Sequence, residues 1–519
     1  GQMFTCAGRR SFTIQKINLA SDKEGNLTAV KHDTTAETSF VDEFIEQAGV
    51  ATKMLYQTPN LSISQNLVRL NKGTPCPTRA PGEAPGTFAF EVAMDELAEQ
   101  LNMDPIQLRL INYAEKNPED GHIFSSKNLR ECYDKGAQSI GWTKRNTKSG
   151  KTKEGNYWVG YGMATATYPA NRGKATVRLK LYGDGHAVAA CCTQDIGTGT
   201  YTVMAQVMAE ALGLPIDKVE FKLGDTIYPQ GPNSGGSQTM ATTGPAVRAA
   251  ALTVRSKVIN LAITDKKSPL YTEEENAIDV DNGKLFSRNN PSKNETYSDI
   301  LIRNKLPLVE TEITTDVSTR ETQKSESNPA AKEGGNSGGK KGTKPNGGGQ
   351  AGSKDESKDN SFVKEDEELD RSKIAFHSFG AHFVKVLVDP LTGMVKVDKI
   401  VCVMDIGTIL NEKTAKSQIM GGAIFGIGMA LMEESVYDEN TGRIVTKDLS
   451  DYLVPVHADM PHFDVQFTNV KDPYISPVGA RGAGEIGITG ITAAIVNAVY
   501  NATGKRIREL PITPDKLMM

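Results

Sequence analysis

Polar and apolar positions along the chain change period several times, and each change marks an element. Over residues 11–48 they alternate, as in Phe12-Thr13-Ile14-Gln15-Lys16-Ile17, with turn residues at Asp22-Lys23-Glu24-Gly25-Asn26. That pattern predicts a β-hairpin. Phe90, Met94, Leu97 and Leu101 then recur at helical spacing, and Asp104-Pro105 opens a second helix through Leu108 and Ile111. From about residue 157 alternation returns: Ala175 to Leu181 is a strand, Asp184-Gly185 a turn, and His186 to Thr193 a second strand. A helix follows, with Val203, Met204, Val207, Met208, Ala211 and Leu212 on its buried side, and an Ala/Val-rich helix begins near Thr242. Phe383 to Val388 and Val395 to Val403 form another predicted hairpin, and Ile488, Ile491, Ile495 and Val499 mark a C-terminal helix. His377 and His382 read as surface or strand-flanking residues beside that hairpin.

Asp-Ile-Gly-Thr occurs twice, at 195–198 and 405–408, each time after paired strands and before a helix. This reads as a diverged internal duplication. The expected fold class is α+β, with two related lobes of mixed sheets and packed helices. Residues 318–372 differ in kind, being rich in Gly, Ser, Lys, Asp and Glu and almost without apolar positions. Such a segment buries too little surface to offset its ordering entropy, so a disordered insert is expected there. The expected division is thus 1–156 (hairpin, Arg79 loop and helices), lobe I at 157–317, the insert at 318–372, and lobe II at 373–519.

Four glycine-rich loops precede helices or helix-like segments: 79–86, 195–200, 231–239 and 479–487. Backbone amides at such positions favour anions and close ligand approach. The second contains Asp195-Ile196-Gly197-Thr198-Gly199-Thr200 and the third Asn233-Ser234-Gly235-Gly236-Ser237-Gln238-Thr239, with no lysine to match a G-K-[ST] phosphate loop. The first offers one arginine, Arg79, and the last one carboxylate, Glu485 in Gly482-Ala483-Gly484-Glu485. In a duplicated architecture such loops face one central cleft. Their inventory suits a large anionic cofactor that carries its own reactive centre, with the protein supplying orientation and one base.

Composition narrows this further. The chain has 519 residues, 38% hydrophobic and 24% charged, long enough for several cores. A net charge of −4 gives no general basic footprint for nucleic acid. No apolar run reaches about 18 residues, so no membrane span is expected, and the protein is read as soluble, cytoplasmic or periplasmic. Six scattered cysteines without C-x-x-C, and seven histidines without H-E-x-x-H, argue against a self-contained metal or iron–sulfur site. The chain opens Gly1-Gln2-Met3-Phe4, which reads as a fragment, a processed product or a start that lies elsewhere.

Several long motifs in order give the chain a recognisable likeness. Thr78-Arg79-Ala80-Pro81-Gly82-Glu83-Ala84-Pro85-Gly86, Asp195 to Thr202, Gly235-Gly236-Ser237, Gly482 to Glu485 and Arg508-Glu509-Leu510-Pro511-Ile512-Thr513-Pro514 carry it. Through them the chain resembles the molybdenum-cofactor-binding subunit of the xanthine dehydrogenase and aldehyde oxidase family, especially the separate large subunits of bacterial aldehyde oxidoreductases. The resemblance implies a molybdenum hydroxylase that converts aldehydes to carboxylic acids with water as oxygen source. It implies molybdopterin, in its cytosine dinucleotide form, with molybdenum held by the pterin dithiolene and by no protein metal ligand. Glu485 is then the general base, and Arg79 stabilises charge and contacts the cofactor. Gly197, Thr198, Gly199, Thr200, Ser234, Gly235, Gly236, Ser237, Thr239 and Gly484 are implied as further cofactor contacts. Electrons would leave to a 2Fe-2S subunit and an FAD subunit of a heterotrimer. Hydroxylation of N-heterocycles such as purines is the alternative, and an inactive cofactor-free fragment with a structural role is a second.

Two departures from the family bear on this. An upstream portion of family subunits, which contacts the cofactor from the other side, has no counterpart here, so an incomplete site is expected from this chain alone. Relatives often have glutamine where this chain has Thr198 and again where it has Phe425, which removes a polar contact at the second position. Ile486 and Ile488 are placed to desolvate the base, with Arg481 opposing them if it points inward.

Overall fold

The computed structural model describes residues 2–316 and 371–518. The expected disordered insert therefore lies, apart from its last two residues, outside the described residues.

The N-terminal hairpin forms as expected from β1 (Thr13–Ser21) and β2 (Leu27–Ser39), and β3 (Leu61–Leu70) adds in parallel to β2. Helix α1 (Glu83–Gln100) closes one face of this sheet through Phe90, Met94 and Ala98, beside the short helix α2 (Pro105–Ile111). Asp104 caps α2 by accepting hydrogen bonds from the Ile106 and Gln107 amides. The predicted 79–86 loop is shorter than expected, because α1 already begins at Glu83. Pro85 is tolerated in that first turn, where its missing N–H would have had no intrahelical acceptor.

Helix α3 (Leu129–Ile140) leads to β4 (Tyr157–Pro169), β5 (Ala175–Tyr182), β6 (Ala187–Ala190), α4 (Thr200–Leu212), β7 (Val219–Lys222) and α5 (Thr239–Thr264). After a small three-stranded excursion come β8 (Leu308–Thr315), β9 (His377–Val388), β10 (Val395–Asp405), α6 (Glu412–Leu431), β11 (His462–Phe467) and α7 (Ile491–Thr503). Helix α5 starts three residues earlier than the Thr242 boundary read from sequence, and Ile488 lies in a turn ahead of α7.

Two sheets repeat one plan. In the first, β8, β5, β6 and β7 lie side by side, paired antiparallel, antiparallel and parallel. In the second, β4, β9, β10 and β11 do the same. An Asp-Ile-Gly-Thr loop follows the second strand of each hairpin. Yet each repeat begins with a strand that pairs in the other sheet: β4 precedes β5 in the chain but joins β9, and β8 precedes β9 but joins β5. The duplication is thus strand-exchanged, and the two sheets do not separate at one point in the sequence. A periodicity reading cannot detect such an exchange, since it identifies strands and not their partners.

The second sheet is covered by α3 on one face and α7 on the other, so β4 and β9 are buried along nearly their whole length. This corrects the surface reading of His377 and His382. Both lie within β9 and are buried, and His382 Nδ1 sits 3.2 Å from Cys402 Sγ. Burial pushes the His382 pKa down to about 3. Small residues of β4 face α7: a Cβ at Gly160 would stand 1.9 Å from Ala498 O, and one at Gly162 2.2 Å from Ala494 O. The strand therefore lets α7 lie directly against it, which fixes the loop feeding that helix. Among the described residues, no helix is long and apolar enough to cross a membrane.

Candidate active site

All four glycine-rich loops open onto one cleft of about 2200 Å³, joined by the second Asp-Ile-Gly-Thr loop and the start of α6. Arg79, Thr198, Thr200, Ser234, Gly235, Gly236, Ser237, Thr239, Gly484 and Glu485 line it. Gly197 and Gly199 do not, being the backbone hinges on either side of Thr198.

Glu485 is held in the cleft from two separate loops. Its Oε1 accepts a hydrogen bond from the Ala80 amide at 3.2 Å, and its Oε2 accepts one from Ser237 Oγ, also at 3.2 Å. Ser237 Oγ in turn accepts the backbone N–H of Glu485 at 3.0 Å, so the single hydroxyl proton is directed at the carboxylate. Ala80 and Ser237 both adopt φ of +53°, a left-handed conformation that costs an L-residue on the order of 1 kcal/mol or more. Strain is thus stored in the two residues that aim donors at Glu485 from loops far apart in sequence. The loops touch closely: a Cβ at Gly482 would stand 1.7 Å from Ser237 O. The phenol of Tyr168, at the cleft end of β4, is a further hydrogen-bond partner of Glu485. Burial, then the charges of Glu83 and Glu485, push its pKa well above the ordinary tyrosine value.

Arg79 buttresses this carboxylate. Its Nε donates to Gly484 O at 2.6 Å and its Nη2 to Gln418 O at 2.8 Å, tying the Glu485 loop to α6. Its guanidinium lies 5.7 Å from the Phe425 ring centre, so Phe425 supplies an aromatic face to the cation. Arg481 works from behind. It is buried against Asp405 at 2.7 Å and also donates to the carbonyls of Ser126 and His377. The base of the Glu485 loop is thereby pinned to the second sheet.

The 195–200 loop differs from the expected phosphate cradle. The amides of Gly197 and Thr198 at 2.9 Å, Gly199 at 3.2 Å and Tyr201 at 3.4 Å all donate to the Asp195 carboxylate. Burial alone would raise the Asp195 pKa, but these backbone donors outweigh it and hold the group below the ordinary carboxylate range. The chain has filled this helix N-terminus with its own anion, leaving the Thr198 and Thr200 hydroxyls, 3.0 Å apart, to face the cleft. The 231–239 loop is the reverse. Ser234 is tied down by Gln194, yet no acceptor among the described residues takes the amides of Gly235, Gly236 and Ser237. Those amides meet the cleft just ahead of α5, where the helix dipole favours negative charge.

Tyr168 and Glu83 also line the cleft and were missed by sequence reasoning. Tyr168 lies in a stretch to which the sequence reading gives no element, and its place in the site follows only from where β4 ends. Glu83 stood inside a quoted motif, where proline and glycine drew attention to the backbone. Burial raises the pKa of Glu83 to about 8, against the helix-start amide that lowers it. No group of three or more His, Cys, Asp or Glu among the described residues is placed to hold a metal ion.

Comparison with known proteins accounts for this arrangement. Residues 1–113 and 135–461 each match a family of molybdopterin cofactor-binding domains. The chain is 33% identical to the aldehyde oxidoreductase molybdenum-binding subunit PaoC of Escherichia coli (strain K12), over 98% of its own length and 61% of the relative's. It is 28% identical to the putative xanthine dehydrogenase molybdenum-binding subunit XdhA of the same organism, over 98% and 62%. It therefore spans about three fifths of the length of these curated relatives. Its fold superposes on quinoline 2-oxidoreductase from Pseudomonas putida 86 with a TM-score of 0.80 at 20% identity, over 99% of this chain and 62% of that one. The chain belongs to the molybdopterin cofactor-binding domains of the xanthine dehydrogenase and aldehyde oxidase family.

Proposed function

We propose that this chain forms the substrate- and cofactor-binding part of a molybdenum hydroxylase that oxidises aldehydes to carboxylic acids, with water as the oxygen donor. The observation that carries the reading is the Glu485 carboxylate, held in the cleft by strained donors from two loops. Its similarity to an aldehyde oxidoreductase subunit supports the aldehyde over other substrates.

The residues fit a molybdopterin. The open amides of Gly235, Gly236 and Ser237, with the hydroxyls of Thr198, Thr200, Ser234 and Thr239, suit its anionic groups. We assign the phosphates of a cytosine dinucleotide form to the 235–239 loop and not to the 195–200 amides, which Asp195 occupies. When bound, the molybdenum centre supplies the oxygen delivered to carbon and takes up an electron pair. Glu485 takes the proton from the attacking oxygen, using the carboxylate lone pairs left free by Ala80 and Ser237. Ala80, Ser237 and Tyr168 fix the direction of those lone pairs. Arg79 orients the base through Gly484 O and presents its remaining guanidinium edge to developing negative charge. Iron–sulfur and flavin centres on partner subunits would accept the two electrons.

Activity of the purified complex against a panel of aldehydes and purines, with molybdenum analysis on the same preparation, tests the reading. It predicts stoichiometric molybdenum and aldehyde turnover. Purine turnover alone would replace the substrate class, and absence of molybdenum would reject the hydroxylase.

A further inference from the structure

Glu485 is not the only carboxyl at this end of the cleft. Glu83 opens α1 and lines the cleft while being 6% exposed, and Glu46 is fully buried behind it. Glu46 has its own cation, Arg10, at 3.0 Å, and accepts the Gly82 amide at 2.7 Å. Arg79 spends two donors on carbonyls. Glu83 therefore meets the charges of Glu485 and Glu46, the distant Arg10 and the phenol of Tyr168, without an ion-pair partner of its own. Glu46 has Arg10 and Glu485 lies near the Arg79 guanidinium, so Glu83 is the buried carboxyl of the three without a cation, and burial among like charges disfavours its ionised form. The unpaired one keeps its proton.

Resting on the reading above, we propose that Glu83 acts as a neutral acid beside the base, donating a hydrogen bond to the carbonyl oxygen of an aldehyde held against Glu485. A protonated Glu83 adds no second negative charge beside Glu485 and offers a donor that does not come from the residues holding the base. Ionisation of Glu83 removes that donor and sets a second negative charge against the carboxylate product. The cleft thus carries one base and one acid separated by environment, a recurring way of running both at neutral pH. Since Glu83 titrates near pH 8, the expected consequence is an alkaline limit on activity.

The test uses the assembled holoenzyme and two variants. Glu83→Gln keeps a donor that does not ionise. Whatever its kcat/KM at neutrality, the fall of that value above about pH 8 should disappear from its own pH profile. Glu83→Ala should raise KM for aldehydes by about fivefold, the worth of one neutral hydrogen bond. Thermal stability supplies a readout independent of turnover. Between the ordinary carboxylate range and about pH 8 the native state binds one more proton than the unfolded chain, so stability falls as pH rises. Glu83→Gln should flatten that slope relative to wild type. An unchanged alkaline limb in Glu83→Gln, or an unchanged stability slope, overturns the assignment. If wild type turns over no aldehyde the substrate reading fails with it, and the stability comparison still reports whether Glu83 is held neutral.

Discussion

The contact between the 231–239 and 479–487 loops offers a sharp steric prediction, because two glycines two residues apart should behave oppositely. In Gly482→Ala the new Cβ would lie 1.7 Å from the Ser237 carbonyl oxygen and 2.6 Å from its carbonyl carbon. Both are backbone atoms, so no rotamer change relieves the overlap, and the loops must part by more than an ångström. Overpacking of this kind costs about 1–3 kcal/mol. The separation also breaks both Ser237–Glu485 hydrogen bonds, one of them to a charged group and worth about 1.5–3 kcal/mol. Displacing a catalytic group by that much lowers kcat by about a hundredfold. Gly484→Ala meets only the Ser237 hydroxyl at 3.3 Å and the Gln418 amide oxygen at 3.9 Å, both ends of side chains that can shift. Steady-state kinetics on the holoenzyme, normalised to molybdenum content, should show a loss of about two orders of magnitude for Gly482→Ala and less than about tenfold for Gly484→Ala. Equal kinetics for the two variants would refute the loop-contact argument.

Other expectations follow from the same geometry. Arg481→Met leaves Asp405 and Asp472 buried without their cation and should destabilise the fold by about 3–5 kcal/mol, seen as a lower melting temperature or loss of soluble protein. Asp195→Asn weakens four backbone hydrogen bonds and should cost about 1–2 kcal/mol, the scale of losing a helix cap. Because the Asp195 pKa is depressed, its contribution is complete above the ordinary carboxylate range and lost as pH falls below it, so wild type and variant should converge in acid. Ser237→Ala should reduce kcat more than it changes KM, since the hydroxyl fixes the base and touches the substrate only through it.

Much of this site was legible in the chain. Glycine loops ahead of apolar helical repeats marked segments that open onto the cleft, and the repeated Asp-Ile-Gly-Thr marked the duplication. What the sequence hid is partnership. The two copies of that tetrad serve different ends: Asp195 binds its own loop amides, whereas Asp405 is the buried counter-ion of Arg481. Their identical spelling carries no sign of this, because the partner of each lies in another segment. Strand exchange between the repeats is hidden for the same reason. His377 and His382 were misread because burial of β9 on both faces depends on α3 and α7, which are remote in sequence. Glu83 and Tyr168 became site residues only once α1 and β4 were seen to end at the same cleft.

The central claim is that Glu485 is the base of this cleft. Glu485→Gln keeps the size of the side chain and its acceptor oxygen for the Ala80 amide or the Ser237 hydroxyl, but lacks a basic carboxylate. The direct measurement is single-turnover reduction of the holoenzyme by an aldehyde, with molybdenum and pterin content determined on the same sample. The account predicts wild-type cofactor content and a reduction rate lower by at least about a hundredfold, the range contributed by a positioned general base. A fully loaded variant that is reduced at close to the wild-type rate would contradict it.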